Sequence, residues 1–249
     1  MEVTVKKNQN LIKLLNLNYL KFSNRTISRG DMDLPSIYCN TSIYPDYLAL
    51  YCQKSLYRKT PRTAVCFYEF DTDFDGKNGL YWAIYYNDEK RLNYFKRRFE
   101  NVKYFISPDY SLLGDIHTIE NNYRLSKSRI VSLWLIFELG AVVIPNISFP
   151  DKNSYAFALD GLEKCSVVAI SAKGHMDNGS ENKRLRENIR LTVDSLRLKA
   201  FIVYDVCGTN EATLDTFAYA KEKGVSVIIP DNTLKCQNSL RFERKVINL

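Results

Sequence analysis

Five short polar runs in this chain share one feature: each follows directly on an apolar, strand-forming stretch. Phe105-Ile106 leads into Ser107-Pro108-Asp109-Tyr110-Ser111, Val142-Val143-Ile144 into Pro145-Asn146, and Val168-Ala169-Ile170 into Ser171-Ala172-Lys173-Gly174. Ile202-Val203-Tyr204 leads into Asp205, and the last apolar run into Pro230-Asp231-Asn232. Asp109 and Asp205 come straight off apolar runs where a neutral Ser or Asn would serve a turn as well. Two carboxylates on one edge can hold a divalent cation such as Mg²⁺, or divide into acid and base if their surroundings push their pKa values apart. Beside them, Arg129 is the candidate anion binder and Ser107, Asn146 and Ser171 the candidates for orienting a substrate. Glu69, at the end of an earlier apolar run, is a further binding candidate. The same residue types cap helices and set turn dihedrals, so any one of them alone reads first as a cap. It is the set that points to a site.

Other chemistries leave little trace. Asp71, Asp73, Asp75 and Gly76 match the phase of a calcium loop, but the position that requires a bidentate Glu is Trp82, and a solvated turn is the expectation. There is no Walker-type phosphate loop, no dinucleotide fingerprint, no H-E-x-x-H and no G-x-S-x-G elbow. Only His117 and His175 are present, which excludes a histidine-rich metal site. His175, in Lys173-Gly174-His175, could transfer a proton but reads first as a surface-loop residue. Cys207 reads as a packed thiol.

From Thr63 onward the pattern alternates between short strand-forming runs and helical stretches, as parallel strands joined by crossover helices require. The candidate strands are Ala64–Phe70, Lys103–Ser107, Ala141–Pro145, Val167–Ser171, Phe201–Tyr204 and Val225–Ile229. Between them, Leu185, Ile189, Val193 and Leu196 recur at helical spacing, Ile130–Leu139 is apolar nearly all round and ends at Gly140, and Glu89–Phe99 and Leu214–Lys223 complete the helices. In a parallel arrangement the carboxyl ends of the strands lie on one edge, so the polar runs converge in space. Residues 1–62 read as an irregular, tyrosine-rich cap belonging to the same domain, with short helices around Leu11–Leu17 and Tyr47–Leu56; residues 63–249 form the α/β core.

The 249 residues, 45% of them hydrophobic, suit one domain with a sizeable core. Six scattered cysteines without a C-x-x-C pair read as reduced thiols. Without a signal-peptide pattern or an apolar run long enough to span a bilayer, the expectation is a cytoplasmic protein with no membrane partner. The formal charge of +7 favours anionic partners, nucleic acid or nucleotides among them. The stretches Arg58–Arg62, Lys90–Lys103 and Arg241–Lys245 interleave basic and aromatic residues that could track a phosphate backbone, or equally form solvated surface.

The run from Phe105 to Ser111, then Tyr123-Arg124 and Arg129, then Gly140 to Asn146 resembles the signature of a family catalogued as domain of unknown function 4417. Phe67-Tyr68-Glu69 resembles its opening strand, and Phe157–Gly161, Val168–Gly174 and the strand ending at Tyr204 continue the likeness, which covers about Phe67 to Ile229. It implies a phage or plasmid context and a common core, and it implies no reaction. The chain departs from the pattern at Ser148-Phe149 and at Asp205, which weakens Asp205 as a family-wide site residue. Ser107, Asp109, Arg129, Asn146 and Ser171 keep their match.

The expected architecture is a set of parallel β/α units forming a small or incomplete TIM-like barrel, with an open doubly wound sheet as the alternative. Three functions remain open: an enzyme, hydrolase or nuclease-like, acting on phosphate esters or nucleotides at the strands' carboxyl edge; a non-catalytic nucleic-acid-binding accessory protein; or a host-partner-binding protein acting through the tyrosine-rich cap.

Overall fold

The structure, a computed structural model, describes residues 9–247, with side chains described from 10 to 241. It opens with α1 (Gln9–Leu14), α2 (Leu20–Ser23) and a two-residue antiparallel hairpin of β1 (Ser28–Arg29) and β2 (Leu34–Pro35). Two parallel strands follow, β3 (Tyr47–Leu50) and β4 (Thr63–Cys66), then α3 (Asp71–Asp75), α4 (Leu80–Tyr85), α5 (Glu89–Arg98) and β5 (Tyr104–Ile106). The long helix α6 (Thr118–Leu139) precedes β6 (Val142–Ile144). The remainder runs β7 (Val167–Ser171), α7 (Gly179–Ser195), β8 (Ala200–Tyr204), α8 (Glu211–Thr216), α9 (Ala218–Glu222), β9 (Ser226–Ile228) and α10 (Thr233–Ile247).

Strands β3-β4-β5-β6 form one wholly parallel sheet and β7-β8-β9 another. Two parallel bridges join their edges. Asn146 pairs with Ala169 beyond the end of β6, where Ile147 N donates to Ala169 O (2.9 Å) and Ala169 N to Pro145 O (2.8 Å). Asp231, beyond β9, pairs with Tyr47 at the start of β3, where Leu48 N donates to Asp231 O at 2.7 Å. Side chains of the four-stranded sheet alternate between two cores. Leu48, Ala64, Cys66, Ile106 and Ile144 pack with the residues of β7 and β8, whereas Tyr47, Ala49, Val65, Phe105 and Val143 pack under α4, α5 and α6. Burial on both faces explains why these strands read as unbroken apolar runs.

The six expected strands are all present, most of them shorter at the ends. A seventh is not where expected: Tyr47–Leu50, read as a helix, is β3, so the sheet begins inside the stretch taken for the cap. Four residues with Tyr47, Leu48 and Ala49 all buried carry no period that separates strand from helix, and the pairing with β4 decides it. The expected helix Leu214–Lys223 is broken at Phe217 into α8 and α9, and α6 starts twelve residues before Ile130. Gly140 does end α6 in the left-handed conformation (φ 64°).

The basic face of α5 is tied into the fold. Arg98 stacks on Tyr51, 4.0 Å from the ring centre, and donates to Tyr51 O and Tyr57 Oη; Lys96 pairs with Glu138 (2.7 Å) and Arg91 with Asp88 (2.7 Å). In the basic stretch Arg241–Lys245, the side chains beyond Arg241 lie outside the described residues.

Candidate functional site: a polar cleft at the strands' carboxyl edge

The five residues Ser107 to Ser111 are held by three parts of the chain: Asn146, α6 and Asp71. Ser107 is fully buried and its Oγ accepts from Asn146 N (2.7 Å); Pro108 O accepts from Ser128 Oγ of α6 (2.7 Å). Tyr110 packs its ring 4.3 Å from Lys127 Nζ, and Ser111 donates through both N (3.0 Å) and Oγ (2.9 Å) to Asp71 Oδ1. In the middle, Asp109 Oδ1 accepts from Asn146 Nδ2 at 2.7 Å. Asn146 Oδ1 in turn accepts from Tyr68 Oη at 2.8 Å, and the Tyr68 ring stacks on Tyr204 with centres 4.7 Å apart. Both ends of the Asn146 amide are therefore fixed, with its nitrogen facing the carboxylate. Burial holds the Tyr68 hydroxyl far above its ordinary value, so it stays a donor.

Asp109 and Asn146 line a cleft of about 170 Å³ with Ser171, Lys173, His175 and Asn188. Burial pushes the Asp109 carboxyl up to about 7; the nearby Asp71 charge adds to the rise and the Asn146 hydrogen bond opposes it. A carboxyl poised there can take or give a proton at neutral pH. Ser171, half-buried at the end of β7, turns the following loop by accepting from Lys173 N (3.3 Å). That loop brings Lys173 to the wall of the cleft. His175 stands there too, with Nδ1 3.5 Å from Glu181 Oε2.

Of the residues proposed from sequence, Asp109, Asn146 and Ser171 meet at this cleft, with Ser107 directly behind Asn146. The other three do not line it. Asp205 is fully buried, and its two carboxyl oxygens accept from Cys207 N (2.9 Å) and Thr213 Oγ1 (2.7 Å), which makes it the turn that starts the β8–α8 loop. Arg129 is buried within α6, donates to Asp160 O (3.2 Å), and is pushed down to about 10 by desolvation. Glu69 accepts from Cys52 N (3.0 Å), tying the loop after β4 to the loop after β3.

Asp109 lines the cleft, whereas both carboxyl oxygens of Asp205 are engaged within its own turn. Among the described residues no group of three or more His, Cys, Asp or Glu could hold a metal ion. The Asp71–Asp75 segment is a helical turn rather than a solvated one, with Asp71 paired to Arg124 (2.6 Å) and Asp75 paired to Lys127.

Lys173, Asn188 and the Tyr68–Tyr204 pair were not singled out as site residues. For Asn188 a signal existed, since it falls between Leu185 and Ile189 on the apolar face of α7, where a polar side chain has no packing reason to be. For Tyr68 none did, because an aromatic residue at a strand end is what a core also uses.

Among the described residues no helix is long and apolar enough to cross a membrane. Among curated proteins and among solved structures, none matches this chain. A family model described as Domain of unknown function (DUF4417) matches residues 28–220, starting well before Phe67 and enclosing Tyr68, Asp109, Asn146, Ser171 and Asn188; the chain belongs to that family.

Proposed function

We propose that the chain is an enzyme that hydrolyses phosphate esters or nucleotides, with Asp109 as its proton-transfer group. The carrying observation is Asp109 itself, a carboxyl held near neutrality in a cleft that also presents a lysine. Lys173 binds the phosphate and Ser171 Oγ orients it. Asp109 takes a proton from the attacking water as the water oxygen bonds to phosphorus; the ester P–O bond breaks, and the same proton passes to the departing alcohol oxygen. Tyr68 and Asn146 touch no substrate and position Asp109. A phage or plasmid setting, implied by the family resemblance, belongs to the same proposal.

The architecture we infer is a seven-strand parallel barrel. Its support is the pair of bridges Asn146–Ala169 and Tyr47–Asp231, which link each outer strand of one sheet to an outer strand of the other. The packing of Leu48, Ala64, Cys66, Ile106 and Ile144 with the β7 and β8 side chains supports it too. Such a barrel would gather the carboxyl ends of its strands into a single rim, where Asp109, Asn146 and Ser171 stand.

A nucleic-acid-binding role through α5 has weaker support, since Arg91, Lys96 and Arg98 already have partners within the fold. Turnover of a panel of phosphate monoesters, diesters and nucleotides tests the proposal. Asp109→Asn should lower the rate by about 10²–10⁴-fold and remove a pH inflection near 7. Wild-type protein that turns over no member of the panel, or an Asp109→Asn variant as fast as wild type, would overturn it.

A further inference from the structure

The Asp109 cleft does not end at Asn188. A second compartment of about 340 Å³ lies beyond it, and Phe149 and Asn188 line both. Its walls carry Lys152, Lys183 and Arg184, with Tyr155 set edge-to-face on Phe149 (ring centres 5.6 Å, 83°). Two carboxylates are also present. Asp151 is turned away to the chain, accepting from Ser154 N (2.9 Å) and Asn153 Nδ2 (3.2 Å), so Glu187 is the acceptor left to a ligand hydroxyl.

Asn188 sits at the junction, 6% exposed. Its side chain makes one hydrogen bond among the described residues, with Oδ1 accepting from Tyr155 Oη at 3.1 Å. That leaves the amide nitrogen, a donor, at the boundary of two compartments. That nitrogen is not sealed from the opening, so an oxygen of a bound ligand can take up its hydrogens. The inner compartment offers one ammonium group, Lys173; the outer offers three cations, an aromatic wall and a hydroxyl acceptor.

We propose, building on the Asp109 proposal, that the outer compartment is a second anion subsite and that the substrate is a nucleotide with two separated phosphates. One phosphate occupies the inner cleft against Lys173 and reacts. The other is held by Lys183 and Arg184, and Asn188 Nδ2 donates to the sugar or phosphate oxygens between them. Phe149 and Tyr155 receive the base. Two compartments that share Phe149 and Asn188 at their boundary suit phosphates set apart by a sugar better than adjacent phosphates.

Calorimetric titration of the full chain at low salt with inorganic phosphate, AMP and adenosine 3′,5′-bisphosphate separates the two claims. Wild-type protein should bind the bisphosphate at least about tenfold more tightly than AMP. In a Lys183→Ala/Arg184→Ala variant that preference should vanish while the affinity for inorganic phosphate stays unchanged, and Lys173→Ala should weaken all three ligands. Both variants replace exposed residues of surface elements, and circular dichroism checks their folding. Equal affinity for AMP and the bisphosphate, with phosphate still bound through Lys173, would overturn the second subsite and leave the Asp109 proposal standing. Equal weakening of phosphate and bisphosphate in the double variant would also overturn the subsite. Failure of wild-type protein to bind any of the three would overturn both.

Discussion

Tyr204 lies with its ring stacked 4.7 Å from that of Tyr68, yet the two hydroxyls meet opposite fates. The Tyr68 hydroxyl donates to Asn146 Oδ1 at 2.8 Å, whereas the buried Tyr204 hydroxyl has no hydrogen-bond partner among the described residues. The same atom on the same ring type, a few ångströms apart, supports the site in one case and carries only a desolvation cost in the other.

The two Tyr→Phe variants should therefore differ in sign. Tyr204→Phe removes an unsatisfied buried hydroxyl and should leave stability unchanged or raise it by about 1 kcal/mol. Tyr68→Phe strips Asn146 of its donor and should cost about 1–2 kcal/mol. Urea midpoints of the two proteins check this; a loss in both would mean that Tyr204 Oη has a partner in solution.

Asp109 makes stability depend on pH in a defined direction. Its folded-state pKa, about 7, stands above the ordinary carboxyl value, so the folded protein binds the proton more tightly than the unfolded chain does. The associated stability is fully present below the unfolded value near pH 4 and is lost as pH rises through 7. Asp109→Asn, which cannot ionise, should gain on wild type across that interval. Thermal midpoints of both proteins at pH 5 and pH 8 measure the difference; a constant gap between them contradicts the assignment.

Lys127 and Asp75 form an ion pair whose side chains are only 11% and 6% exposed, with Tyr110 and Tyr81 rings 4.3 and 5.3 Å from the ammonium group. Burial raises the Asp75 pKa even against the pull of Lys127. Lys127→Ala leaves that carboxylate buried and unpaired, and should cost about 3 kcal/mol. Arg124→Ala, which breaks the more exposed pair with Asp71, should cost about 1 kcal/mol or less. Chemical denaturation ranks the two, and a reversed order would contradict the buried pairing.

Arg98 and Arg97 are adjacent on α5 and should behave differently. Arg98→Ala loses the stacking on Tyr51 and the hydrogen bonds to Tyr51 O and Tyr57 Oη, a loss of about 2 kcal/mol. Arg97→Ala should fall within about 0.5 kcal/mol of wild type. If both are neutral to stability and both weaken binding to DNA or RNA, the basic face is a binding surface rather than a support.

Three residues of the cleft, Asp109, Asn146 and Ser171, follow their strands closely, a pattern legible in the sequence. Asp109, Asn146 and Ser171 meet because β5, β6 and β7 all run the same way, and the alternation of strands and helices already required that direction. Asp205 obeys the same local rule, yet Cys207 N and Thr213 Oγ1 engage its carboxylate within the next turn. Nothing in the spacing separates the two aspartates; only the loop conformation does. Arg129 matches the motif, but α6 begins at Thr118 rather than Ile130, so its side chain lies buried within the helix rather than ahead of it. A four-residue run with three residues buried, as in β3, carries no period, and Asn188 is one polar residue within an apolar helix face.

The protonation of Asp109 is open to direct measurement. A ¹³C-detected carboxyl titration of the aspartate-labelled protein, with Asp109→Asn to assign the resonance, should show Asp109 titrating near pH 7. Truncating its partner in Asn146→Ala should move that midpoint upward, because the Asn146 hydrogen bond favours the charged form. A midpoint near 4 in wild type, unmoved by Asn146→Ala, would show a solvated, ordinary carboxylate and would contradict the proton-transfer role.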